Sequence, residues 1–147
     1  MTEGRPARIL MVEDNEGDVI LALRSLQAAG LSNEIQVVGD GVEALEFLRS
    51  QGAHAGAPRP DLILLDMNLP RLDGRGFLET VKGDPQLASI PVVALLSSRG
   101  DRGAALSGDA RADAFIVKPV TLASLSEIAR DLAGLRLTLM KTSPPGP

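Results

Sequence analysis

Asp61-Leu62-Ile63-Leu64-Leu65-Asp66-Met67-Asn68-Leu69-Pro70 carries more structural information than any other run in this chain. A short aliphatic block bounded by turn signals reads as a strand covered on both faces, the condition of a parallel sheet between helix layers. That strand is Asp61–Leu65. Asp66 follows at its carboxyl end, where open α/β sheets keep their chemistry. Three other apolar runs also stop at polar residues: Arg8–Val12 before Glu13 and Asp14, Val92–Leu96 before Ser97 and Ser98, and Phe115–Val117 before Lys118 and Pro119. Acids, hydroxyls and one lysine therefore gather at four strand ends that could share a single pocket.

Outward from these strands the pattern alternates with helices, which predicts βαβ units and a parallel sheet. A helix is expected from Glu16 to Ala29, with Val19, Ile20, Leu23 and Leu26 at helical spacing and Gly30 as its stop signal. Ile35–Val38 is a short strand, and Gly41–Arg49 a helix with Val42, Leu45 and Leu48 on one face. Residues 51–60 read as loop, with the lone His54 solvent-exposed in it. Further helices are expected at Gly74–Lys82, between Arg99 and Ala110, and at Leu122–Leu132. Gly74 is read as permitting a backbone turn. The Arg99–Ala110 segment should be the softest helix, since each internal glycine costs about 1 kcal/mol relative to alanine. Residues 1–7 are expected to be a disordered leader and 8–133 a single domain. Residues 134–147 are read as an extension whose alternating Leu135–Lys141 segment either folds back on the domain or packs on another subunit.

Composition narrows the function. With 147 residues the chain suits one domain with a real core. A net charge of −4, three Phe and no Trp or Tyr argue against a free-standing nucleic-acid binder. The absence of Cys removes disulfides, thiolate metal sites and cysteine nucleophiles. No apolar run approaches the ~18 residues of a membrane span. A soluble, cytoplasmic protein without nucleic-acid or membrane partners is the expectation.

Glu13, Asp14 and Asp66 at neighbouring strand ends would repel one another unless a cation intervened. Magnesium suits such a site, because it takes one or two carboxylates and leaves positions for phosphate oxygens. Lys118 opposite the metal would steady a phosphoryl group, and Asp66 would be the attacking carboxylate of an in-line transfer. Each residue taken singly is also a plausible polar terminator of a buried strand.

Together the motifs Ile-Leu-Met-Val-Glu13-Asp14-Asn, Leu-Ile-Leu-Leu-Asp66-Met-Asn-Leu-Pro-Arg-Leu-Asp-Gly74 and Phe115-Ile-Val-Lys118-Pro119 resemble the receiver domain of two-component response regulators, over residues 8–133. The resemblance implies a doubly wound, five-stranded parallel sheet flanked by five helices, a flavodoxin-like fold. It implies that Asp66 takes a phosphoryl group from a histidine kinase, with no enzymatic role beyond that acceptor chemistry. Magnesium would be bound by Asp14, Asp66 and the Asn68 carbonyl, with Glu13 acting through water and Lys118 touching the acyl phosphate. The Lys118–Pro119 bond would be cis. The opening Val-Glu-Asp-Asn-x-x-Asp18, the ten-residue loop before the third strand and the tail further resemble single-domain regulators paired with phytochrome-type kinases, some of which dimerise. The chain is accordingly read as a stand-alone regulator, a homodimer, that signals by protein contact or serves as a phosphate sink.

One position departs from the family. Where it places Ser or Thr at the end of the fourth strand, this chain has Leu96, which has no donor. Either Ser97 reaches the site after a one-residue shift, or the pocket lacks its hydroxyl and the readout is weakened; the second is favoured. Phe115 matches the aromatic switch position and is equally a packed core residue. Two rivals remain: a docking module that has lost phospho-signalling, and a magnesium phosphohydrolase. The latter would show Asp-x-Asp where this chain has Asp66-Met-Asn68.

Overall fold

A computed structural model describes residues 7–67, 74–97 and 111–132. Five strands form one parallel sheet: β1 (Ile9–Val12), β2 (Ile35–Val38), β3 (Leu62–Asp66), β4 (Val92–Leu96) and β5 (Ala114–Val117), in the order β2-β1-β3-β4-β5. Among the described residues the helices are α1 (Glu16–Ala28), α2 (Gly41–Leu48), α3 (Gly74–Gly83) and α4 (Leu122–Asp131). The expected helix between Arg99 and Ala110, the leader before residue 7 and the extension after Leu132 lie outside the described residues. Strand and helix limits otherwise agree with the sequence reading to within a residue or two.

The sheet is doubly wound because its central strands are apolar on both faces. Leu10, Val12, Ile63, Leu65, Val92, Ala94 and Leu96 pack with Phe47 of α2 and with Phe77, Leu78 and Val81 of α3. Their neighbours in sequence point the other way: Ile9, Met11, Leu62, Leu64, Val93 and Leu95 meet Ala22 and Leu26 of α1 and Leu125 and Ile128 of α4. This period-2 division of unbroken aliphatic runs covers both sides of the sheet. Pairing is in level register, with Val12 beside Leu65 and Asp66 beside Leu95, so the carboxyl ends of β1, β3 and β4 share one edge. The chain reverses direction across the sheet between β1 and β3, the topological switch point where ligands of such folds bind.

Local signals set the helix ends. Asn15, Asp40 and Thr121 cap α1, α2 and α4 through their side chains. Gly30, at φ 95°, follows the α1 cap; its N–H bonds to the Gln27 carbonyl and that of Leu31 to the Leu26 carbonyl. That is a Schellman ending at the expected glycine. No helix among the described residues is long and apolar enough to cross a membrane.

Three sequence readings need correction. His54 is not freely exposed: a short 3-10 turn (Gly52–His54) brings its Nε2 to 2.9 Å from Glu43 Oε2, and its ring lies edge-on to Phe47 at 5.3 Å. A polar, glycine-rich loop composition hides this, because the partners come from α2. Gly74 has no left-handed φ; a Cβ there would lie 2.5 Å from the Met67 Cα, so the glycine permits close approach of α3 to the end of β3. Ala7, placed in the leader by sequence, is buried, and its carbonyl accepts the Asn33 side-chain amide at 2.7 Å.

Candidate functional site

Burial and backbone pairing build this site from the inside out. Glu13 follows β1 directly, its N–H bonded to the Val38 carbonyl, and it is only 3% exposed. One carboxylate oxygen accepts the Asn15 backbone N–H at 3.1 Å and the other lies 2.7 Å from Lys118 Nζ. Asp66 ends β3 at 5% exposure. Asp14 is exposed to solvent. One oxygen from each of Glu13, Asp14 and Asp66 fits within a 4.8 Å cluster.

Lys118 closes the cluster from β5. Its backbone N–H donates to the Leu96 carbonyl at 2.8 Å, and the Lys118–Pro119 bond is cis, as expected. Its ammonium lies 2.7 Å from Glu13, 2.9 Å from Asp18 Oδ2 and 3.6 Å from Asp66 Oδ2. Burial alone would lower the lysine pKa, but hydrogen bonds to Glu13 and Asp18 and the nearby Asp66 charge outweigh it and hold the group above its ordinary value. Glu13 moves upward too. Burial is the main cause and adjacent Asp66 adds to it, against weaker opposing pulls from Lys118 and the Asn15 N–H. Burial of this carboxyl, more than repulsion from Asp66, thus raises its proton affinity.

Asp14, Asn15, Glu16, Asp18, Asp66, Ser97 and Lys118 line a crevice of about 600 Å³ over these groups. Two buried acids, one exposed acid and room above them suit a hard divalent cation that keeps some of its waters. Ser97 stands on the crevice wall, whereas Leu96 is 2% exposed and belongs to the α2–α3 side of the core. Phe115 is half-buried against the same side of the core. Asn68, expected to offer a backbone carbonyl, lies outside the described residues. Asp18 carries no role in the sequence reading beyond its place in the Val-Glu-Asp-Asn-x-x-Asp motif. Its place four residues after Asp14, in the first turn of α1, is the signal that could have marked it.

A parallel β2-β1-β3-β4-β5 sheet with acids and a lysine at the carboxyl ends of β1, β3 and β5 is the architecture of a signalling receiver. The chain belongs to the response regulator receiver domain family, which it matches over residues 9–130. Response regulator Rcp1 of Synechocystis sp. is 35% identical over 127 residues, covering 86% of each chain. The solved bacteriophytochrome response regulator AtBRR shares 39% identity at a TM-score of 0.83, over 93% of this chain and 99% of that one. The phosphorylated cyanobacterial phytochrome response regulator RcpA shares 38% identity at a TM-score of 0.71, over 90% of this chain and 99% of its own. A Mn²⁺-bound form of Rcp1 is also similar, at 38% identity and a TM-score of 0.68, over 84% and 88% of the two chains.

Proposed function

We propose that this chain accepts a phosphoryl group on Asp66 from the phosphohistidine of a sensor histidine kinase. The observation that carries the reading is the convergence of Glu13, Asp14 and Asp66 within 4.8 Å, with the Lys118 ammonium 3.6 Å from Asp66. An Asp66 carboxylate oxygen attacks phosphorus as the P–N bond breaks, its electron pair leaving with the imidazole; the product is an acyl phosphate. Asp14 and Asp66, with the Asn68 carbonyl and with Glu13 through water, would hold magnesium, which would supply positive charge to the transferring oxygens. Lys118, its ammonium 3.6 Å from Asp66, supplies the second positive charge. Ser97 is proposed as the donor that Leu96 cannot be, closing on a phosphoryl oxygen from the end of β4.

A phosphoryl group adds roughly −1.5 to −2 charges, and the strand ends it touches carry that change to a surface read by a partner. Phe115, on β5 before Lys118, is the aromatic of that readout. RcpA and AtBRR are phytochrome response regulators, which supports a photoreceptor-type kinase as donor. The chain would then signal by protein contact as a homodimer, or serve as a phosphate sink.

Incubation with magnesium and acetyl phosphate, or with a phosphorylated kinase, should place an acid-stable, base-labile label on the chain, lost in Asp66→Asn. An unlabelled wild-type chain, or undiminished label in Asp66→Asn, overturns the proposal. Kinase binding without label would instead identify a docking module that no longer switches.

A further inference from the structure

We infer that Asp18 is a positioning residue that holds the Lys118 ammonium back from Asp66 and must release it when Asp66 carries a phosphoryl group; the inference rests on the phosphoacceptor reading above. A lysine ammonium has three donors. Here the two short contacts go to Glu13 at 2.7 Å and Asp18 at 2.9 Å, while Asp66 stands at 3.6 Å, within ion-pair range but beyond a hydrogen bond. The lysine rests nearer to its two flanking acids than to the acceptor.

The two flanking acids differ in what release would cost. Glu13 is buried, and its second oxygen is tied to the Asn15 N–H, so losing Lys118 would strand a buried charge. The Asp18 side chain is 39% exposed, and water can replace the ammonium there. Its main chain is fixed in the first turn of α1 by the bond from its N–H to Asn15 Oδ1. With only two side-chain torsions, its carboxylate cannot follow a lysine that moves toward Asp66. Phosphoryl charge arriving on Asp66 therefore breaks the Asp18 contact first. The Asp18–Lys118 pair also forms the boundary between the acidic crevice and a more apolar cavity of about 280 Å³, lined by Met11, Leu21, Leu95 and Val120 among others. Moving the lysine alters both spaces at once.

The test compares full-length wild-type, Asp18→Asn, Asp18→Glu and Glu16→Gln chains for binding of beryllofluoride in the presence of magnesium. Replacing a charge-assisted contact by a neutral one should tighten beryllofluoride binding about fivefold in Asp18→Asn, and Asp18→Glu should restore wild-type affinity. Glu16 lines the same crevice, and in Glu16→Gln a screened field effect alone should give less than about a twofold change. Without metal or beryllofluoride, the ¹H–¹⁵N signal of the Lys118 ammonium should exchange with water faster in Asp18→Asn than in wild type. Equal affinity in Asp18→Asn and wild type, an equal gain in Glu16→Gln, or an unchanged ammonium signal overturns the inference alone. A wild-type chain that binds no beryllofluoride overturns the phosphoacceptor reading and the inference together.

Discussion

Replacing Gly74 by alanine should destabilise this protein, although the same change in an ordinary helix stabilises. A Cβ at Gly74 would lie 2.5 Å from the Met67 Cα, 2.9 Å from the Met67 carbonyl oxygen and 3.0 Å from the Asp66 carbonyl oxygen. Carbon atoms pack best at about 3.5–4.0 Å, so α3 must retreat about 1 Å from the end of β3. All three obstacles are backbone, and none can swing aside. Overpacking of this kind costs about 1–3 kcal/mol, against about 1 kcal/mol gained from the better helix propensity of alanine. A net loss of up to about 2 kcal/mol is expected. Gly83, at the other end of α3, is the internal control: a Cβ there meets nothing within 4 Å, so Gly83→Ala should be neutral or gain up to about 1 kcal/mol. Urea unfolding midpoints of the two variants and wild type give the comparison. Because Gly74 presses on the backbone of Asp66 and Met67, Gly74→Ala should also slow labelling of Asp66. A Gly74→Ala chain as stable as Gly83→Ala would refute the close-approach account.

Asp113→Ala should cost about 1–3 kcal/mol in urea unfolding, since that carboxylate accepts both Lys82 Nζ and the Val92 N–H at 2.8 Å. Asp40→Ala should cost about 1 kcal/mol by removing the acceptor for the Glu43 N–H at the start of α2, read as a lower thermal midpoint. Ser97→Ala should slow acetyl phosphate labelling by about tenfold, the worth of a hydrogen bond to a charged group, without moving the unfolding midpoint. Leu96→Thr should lower stability by about 1–3 kcal/mol, because it removes methyl groups from a nearly sealed core position and puts a hydroxyl there.

Much of the fold can be read before any coordinates exist, for a simple reason. Leu62–Leu65, Val92–Leu96 and Ile9–Val12 are unbroken aliphatic runs, and only a sheet covered on both faces uses them. The caps at Asn15 and Thr121 and the stop at Gly30 are equally local, since each acts within a few residues of itself. Acids at strand ends, a lysine before proline and the spacing between them likewise mark the site, because β-strands in register carry their terminal residues to one edge.

What sequence could not supply depends on partners far apart along the chain. His54 looked exposed because nothing in its loop announces that Glu43 and Phe47 of α2 will meet it. Gly74 looked like a turn, while its real constraint is the backbone of Met67. That Leu96 packs into the core while Ser97 borders the crevice likewise depends on α2 and α3, which cover that side of the sheet.

Sequence alone determined the class of sheet, the order of its elements and the set of residues offered for chemistry, because those follow from periodicity and strand ends. Tertiary structure alone decided how the charges are shared. Lys118 lies against Glu13 and Asp18 rather than directly on Asp66, a balance set by burial and by three distances. Asp18 is 100 residues away in the chain and becomes a neighbour only when α1 is laid against the sheet.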